Sequence, residues 1–270
     1  MTALADNLTM IEPLGHTIIA LPAPITTEAD AIAWAAHLDF VSNEIEEHDA
    51  ILIVPFGDID AATAFAAYAK SQTSYRMIAA CYHGSTELPE LSASLAGAIA
   101  ALPDVATPLD DTQLLGLTAV DSSFKLTRTR IEAALHAGVA MIATDSSGTP
   151  AIVRLITTYQ DTPDGSPDDL MIDVNAPLIV AYTRVVMRQA VKAMGPRKNT
   201  VKQRRNVNTT NYKTALMLDR AEILQNVEAN KDQFTQAQDP NDRTRAKYGI
   251  PTDIVPGMHI KDVTLNVFST

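Results

Sequence analysis

Over the first 160 positions, short unbroken apolar runs alternate with stretches whose apolar residues recur at helical spacing. His16–Leu21 is a short β-rich run closed by Pro22 and Pro24. Ile51–Pro55 and Met77–Cys81 are apolar throughout, as expected of strands buried on both faces of a parallel sheet. Between these runs, Thr27 followed by Asp30 predicts a helix start with a carboxylate in the first turn. Ala31–Ile45 then places Ile32, Ala35, Ala36 and Phe40 near helical spacing. Asp60–Lys70 and Leu91–Leu102 are two further alanine-rich helices, the second ended by Pro103. Residues 103–125 read as irregular. Thr129 and Glu132 suggest a capping box for a helix through His136, with Gly138 as its C-terminal cap. Val139–Thr144 and Ala151–Tyr159 read as strands joined through Ser147-Gly148-Thr149-Pro150, a plausible hairpin.

The pattern changes near Gln160. Asp161–Asp169 holds two prolines, a glycine and four aspartates, and reads as a solvated loop. Asn175 and Pro177 predict a helix start, and Gly195-Pro196 its end after Ala193. A second helix is predicted over roughly Thr210–Val227, with Tyr212, Leu216, Ile223 and Val227 on one face. Pro251 and Pro256-Gly257 then set apart a last alternating stretch, Ile260–Phe268, read as a strand. The expectation is an α/β layer with a largely parallel sheet over 1–160, then a mostly helical domain over 161–270 ending in a β-strand.

Charge sharpens this division. Residues 1–150 hold 19 acids and 5 bases, whereas 151–270 hold 13 acids and 16 bases. Between Arg184 and Arg220 there are ten bases and one acid, Asp219. Such a chain can attract copies of itself or an acidic partner. The lone Cys81 excludes an intramolecular disulfide and fits a reducing compartment. No run of about 18 apolar residues is present, so no membrane span is expected. Met1–Asn7 lacks the basic and apolar regions of a signal peptide.

Candidate chemistry is sparse. Asp58, His83 and Ser146 or Ser147 give an Asp–His–Ser order, without G-x-S-x-G or any other nucleophile-elbow pattern. Phe56-Gly57-Asp58 follows a buried strand, where α/β enzymes place ligand loops, so a ligand site at Phe56–Asp60 is one alternative. No phosphate-binding glycine motif is present. Asp58 with Asp60, and Asp168 with Asp169, lack a histidine at metal-ligand spacing. Arg184, Arg188 and Lys192 recur every four residues and form one ridge on a helix, flanked by Val180, Met187 and Val191. A helix apolar nearly all round except for a basic stripe belongs at an interface. The basic segment 184–205, with Arg197, Lys198, Lys202, Arg204 and Arg205 at its end, leaves nucleic acid as another alternative. The overall acidity and a single nearby aromatic, Tyr212, disfavour it. The terminal stretch can fold back or add to the sheet edge of another chain.

Several segments over roughly 50–270 resemble the tail-sheath proteins of contractile phages and related injection machines. They are Leu126-Thr127, Ile131-Glu132, Ala137-Gly138-Val139, the strand Val153-Arg154-Leu155-Ile156-Thr157-Thr158-Tyr159, Asp173, Tyr182-Thr183-Arg184, Arg197-Lys198 and Val255-Pro256-Gly257-Met258. The resemblance implies a layered α/β sheath core domain and a C-terminal domain facing an inner tail tube. It implies a structural subunit, with no catalytic residues and no cofactor, that polymerises helically and contracts to drive the tube through an envelope. Implied partners are other copies of the chain, the tail tube protein, and baseplate and tail terminator proteins. The implied setting is the virion tail, assembled in the host cytoplasm. Asp262, Val263, Thr264, Leu265, Asn266, Val267 and Phe268 would be the strand exchanged between subunits. Arg184, Arg188 and Lys192 would lie on the tube-facing side. Family members carry an N-terminal arm ahead of their first strand, so that arm is expected to be truncated or short in this chain.

Overall fold

The unbroken apolar runs become inner strands of one five-stranded sheet in a computed structural model, which describes residues 3–71, 74–162 and 164–259. The strands are β1 (Ile18–Ala20), β2 (Ile51–Phe56), β3 (Met77–Tyr82), β4 (Val139–Thr144) and β5 (Pro150–Arg154), neighbours in that order. The first four run parallel, and β5 turns back antiparallel to β4. Every residue of β2 and β3 is buried.

Both faces of these strands need cover, and successive side chains point to opposite faces. Leu52, Val54 and Phe56 share a core with Trp34 and Leu38 of α2 (Glu28–Val41) and with Phe65 of α3 (Ile59–Ser71). Ile51, Ile53 and Ile78 face the other way, onto Leu91, Leu95 and Ile99 of α4 (Leu88–Ala100). Each such side chain contributes about 1.5–3 kcal/mol when fully buried. The result is an α/β layer arrangement, as expected from the sequence. Helices α1 (Ala3–Ile11) and α5 (Arg128–His136) pack with α2 and α3.

Local signals explain most boundaries. Thr27 caps α2 by accepting from the Asp30 N–H. The expected Thr129–Glu132 capping box does not form. Thr127, two residues earlier, accepts from the Arg130 N–H, and Glu132 pairs with Arg128 at 3.5 Å. Gly138 ends α5 at φ +84°, a conformation that costs glycine little. The strand predicted through Tyr159 stops at Arg154, whose guanidinium holds Asp173 at 2.9 and 3.0 Å. Beyond it the backbone bonds elsewhere, with Thr157 donating to Ile172 and Thr158 to Met77. The irregular segment before α5 also has a task. Asp111 and Leu114 donate to β5 and Thr112 accepts from it, covering the outer edge of the sheet.

The chain divides into two compact units, residues 1–104 with 109–181, and residues 105–108 with 182–270. In the C-terminal part, α6 (Asn175–Ala193) starts and ends where predicted, with Gly195 at φ +71° just beyond it. The next helix differs from expectation. Helix α7 (Val201–Arg220) begins at the Thr200 cap, about three turns before Thr210, and stops before Ile223 and Val227. Its buried face is Val207, Asn211, Thr214, Ala215 and Leu218, and the two polar members hide the apolar period. Glu222 and Asn226 take left-handed backbone angles, which turns the chain out of the helix while Ile223, Leu224 and Val227 stay buried. An antiparallel ribbon of β6 (Thr235–Gln238) and β7 (Ala246–Gly249) follows, unforeseen from the sequence. The expected terminal strand, Ile260–Phe268, lies outside the described residues, and with it the Asp262–Phe268 segment.

Candidate assembly surfaces

The helical spacing of Arg184, Arg188 and Lys192 holds, since all three lie on α6. Arg184 and Arg188 are half-buried and Lys192 is exposed. None of the three is without an interaction partner. Met187 on the same helix is buried, while Tyr182 and Val185 are exposed.

A second basic row appears only once α7 is given its true length. Lys202, Arg205, Lys213 and Arg220 are all exposed, with Thr209 and Met217 between them. At helical rise this face runs about 27 Å. The segment 184–205 is therefore not one basic track. It is split between two helices, and some of its charge is committed locally. Arg197 donates to the Met194 carbonyl and to Gln203, and Arg204 to the carbonyl and side chain of Asn199. Tyr212 is engaged too, edge-on to Phe234 at 5.3 Å with the Lys231 ammonium 5.9 Å from its ring. A ring held on both sides is poorly placed to stack on a base.

The ribbon β6–β7 pairs Thr235 with Gly249 and Gln238 with Ala246. Asp239 organises its turn. It accepts from the Asn241 N–H at 2.8 Å and from Lys247 at 3.0 Å, and these partners hold its carboxyl below the usual range. No further strand flanks the ribbon among the described residues. Two strands alone are marginal in water, and an edge that no strand covers is a template for pairing. The connector that leads on to the chain end is anchored nearby. Ile254 bridges Leu224, and the Asp253 carboxylate accepts from Gln225 and Asn226.

Polar residues at the strand ends of the sheet are held in local contacts. Asp58 caps α3, its Oδ1 accepting from the N–H groups of Asp60 (3.0 Å) and Ala61 (2.9 Å). Gly57 permits a close backbone approach. The Gly84 N–H donates to its carbonyl at 2.8 Å, and a Cβ at Gly57 would run into the Ser85 carbonyl oxygen. The glycine is thus used by a neighbouring loop of the same chain. His83 Nδ1 lies 4.0 Å from Asp58. Ser147 is not brought to it by any hydrogen bond. Its hydroxyl donates to Asp145 at 2.6 Å inside the β4–β5 turn. A cavity of about 190 Å³ opens beside His83, walled mainly by Val120, Phe124, Leu126, Ile131 and Met141. Its polar Tyr82 and Thr144 hydroxyls bond each other at 2.9 Å. Asp168 is bound to the Tyr159 hydroxyl at 2.7 Å. No group of three metal-binding side chains is assembled among the described residues. Burial, reinforced by Asp58, pushes the Cys81 thiol up to about 12, which keeps it protonated and unreactive.

No family model and no curated protein matches the sequence. Solved structures do match. The sheath tail protein of Desulfitobacterium hafniense aligns over 92% of this chain and 59% of its own, with TM-score 0.64 and 15% identity. A chain of the anti-feeding prophage baseplate aligns over 98% of this chain and 73% of its own, at TM-score 0.68 and 14% identity. The fold is that of the tail sheath proteins. A chain of the anti-feeding prophage helical sheath in its contracted state agrees, covering 99% of this chain and 73% of its own at TM-score 0.58 and 16% identity. This chain therefore spans about three fifths of the length of the Desulfitobacterium sheath protein. Within the sheath fold, sequence reasoning missed the β6–β7 ribbon and the α7 row. The apolar alternation in the ribbon, Ala246, Lys247 and Tyr248, is too brief to have signalled a strand. The α7 cations do recur at helical spacing, a signal that becomes readable once Thr200 is taken as a cap.

Proposed function

We propose that the chain is a structural subunit of a contractile tail sheath, polymerising helically around a tail tube, and not an enzyme. The observation that carries this reading is the sheath fold extending over nearly the whole chain, including a match to a chain of a helical sheath. The strand ends support it from the other side, because Gly57, Asp58 and Ser147 are all occupied with local packing and capping.

On this reading Asp262–Phe268 is a strand donated to a neighbouring copy, and the open edges of β6–β7 are its acceptor. Each side then supplies what the other lacks, a strand for an incomplete ribbon and an edge for an isolated strand. Arg184, Arg188 and Lys192 face the tail tube, and baseplate and terminator proteins close the two ends. Contraction is a change between two packings of rigid units that strand exchange keeps linked. It drives the tube through the host envelope, from a virion tail assembled in the host cytoplasm.

The test is electron microscopy of the full chain, alone and with a tube protein, beside a variant lacking residues 260–270. The parent is expected to form ordered tubes. The shortened chain should keep the far-UV circular dichroism of the parent and form none. Tubes from the shortened chain would remove the strand-donor role. Failure of the parent to form ordered polymers under either condition would overturn the sheath reading.

A further inference from the structure

Three histidines meet where the N-terminal helix, β1 and α2 come together. His16 lies just ahead of β1, His37 on the buried face of α2, and His48 in the loop that enters β2. The rings of His16 and His37 stack, with centroids 5.2 Å apart and planes 20° from parallel, and their Nε2 atoms are 3.1 Å apart. His37 is 4% exposed, and Trp34 packs against it edge-on at 5.8 Å. His48 packs on Gly15, its Cε1 3.3 Å from the place a Cβ would occupy.

The geometry limits where the protons can sit. One Nε2 must donate and the other accept. His16 also bonds the Ile11 backbone, and where Nδ1–H is that donor its Nε2 is left as the acceptor. His37 then donates through Nε2–H, and its Nδ1 is bare. That nitrogen is buried without a hydrogen-bond partner. An extra proton has two places to go. On His16 Nε2 it would set two N–H groups against each other across 3.1 Å. On His37 Nδ1 it would bury an unpartnered cation beside Trp34. The groups acting on the pair are His48 on His16, and His16 on His37. Among the described residues, no carboxylate acts on either ring. Burial first, and these neighbours second, hold both rings below the ordinary histidine value.

We propose that the His16–His37 pair is an acid-released latch, which pins the N-terminal segment and edge strand β1 to α2 while both rings are neutral. β1 pairs with β2 through three residues, and among the described residues of α1 Leu8 is the buried one. Because the closed form disfavours protonation, its stability is complete above the histidine reference of 6.5 and falls as pH drops below it. Opening would loosen residues 3–20 and uncover the edge of β2, while β3 and β4 stay paired. This device goes beyond the sheath reading and does not depend on it.

Hydrogen exchange by mass spectrometry on the full chain tests the latch, at about pH 7.5 and about pH 5, with intrinsic rates corrected. Peptides from residues 3–20 should exchange several-fold faster in acid, and peptides from β3 should not. The variant His16→Phe keeps a stacked ring that cannot titrate and should lose the acid response. Should that variant fold poorly, histidine ring titration by NMR in the parent replaces it, with both rings expected to titrate below 6.5. Unchanged exchange of residues 3–20 in acid, an equal acid response in His16→Phe, or rings that titrate at or above 6.5 would each overturn the latch.

Discussion

Replacing Gly57 with alanine separates a packing glycine from a ligand-loop glycine. Gly57 does not have a positive φ, so alanine is permitted there by its backbone. Taken alone, the substitution would stabilise by about 0.4–1 kcal/mol, because alanine has less freedom to lose on folding. The structure opposes this with a clash. The new Cβ would sit well inside contact distance of the Ser85 carbonyl oxygen, and that obstacle is backbone rather than a movable side-chain tip. The Ser85 backbone is held in place by its own N–H bond to Tyr82 and by the adjacent Gly84–Gly57 bond. Overpacking against such a wall costs about 1–3 kcal/mol or more, so the clash wins. The two ranges leave a net loss of up to about 2.5 kcal/mol, or up to roughly 10 °C in Tm for a unit of this size. Differential scanning calorimetry of Gly57→Ala measures this. Gly97→Ala in α4 is the matched control, because no atom lies within 4 Å of its new Cβ. It should gain about 0.5–1 kcal/mol from helix propensity. A Gly57→Ala variant as stable as the parent would refute the packing argument and reopen a ligand role for the Phe56–Asp60 loop.

Two further outcomes follow from the same interior. The Cys81 thiol should resist a thiol reagent in the folded chain at neutral pH and react fully only in denaturant, as followed by absorbance. Rapid labelling of native protein would contradict its burial and raised pKa. Asp145 accepts from Ser147, Thr149 and Gln113, which together hold its carboxyl well below the usual range. A depressed folded value adds stability above the unfolded reference of 3.8, and that stability is lost as pH falls through the folded value. Asp145→Asn should therefore melt below the parent at neutral pH, with the gap closing in strong acid. A gap that widens in acid would show that the turn does not depend on the carboxylate.

What could be read in advance depended on whether a residue's role is set by its neighbours in sequence. Ile51–Pro55 and Met77–Cys81 were legible because burial on both faces leaves no polar position in either strand. The ends of α6 were legible because Pro177 and Gly195 act locally. The start of α7 was misplaced because Asn211 and Thr214 face inward, so its buried stripe does not look apolar. The ribbon Thr235–Gln238 with Ala246–Gly249 is mostly exposed and alternates only briefly, through Ala246, Lys247 and Tyr248, and its register rests on the Asp239 turn. Gly57 illustrates the limit at the site. Its partner is Ser85, on a different loop, and nothing near Gly57 in sequence announces it. The Asp58–His83–Ser147 order failed for a related reason, because order along the chain does not say that Ser147 turns towards Asp145. The Arg184–Arg188–Lys192 spacing was legible, but the half-burial of its first two members was not.

Charge divides along the same line as structure. The unit of residues 1–104 and 109–181 carries 24 acids against 6 bases, and the unit of 105–108 and 182–270 carries 8 against 15. Exposed pairs between such surfaces contribute only about 0–1 kcal/mol each and are screened by salt. They can orient one copy against another without locking it. A head-to-tail contact of unlike surfaces does not close on itself unless the rotation happens to form a ring, so it propagates as a helix. If strand exchange supplies the permanent link and these charges the adjustable one, subunits can repack while the buried strands β2 and β3 stay intact. On the proposed sheath reading the interior moves as a rigid body, and Gly57, Asp58 and Ser147 each hold a local loop or turn in place.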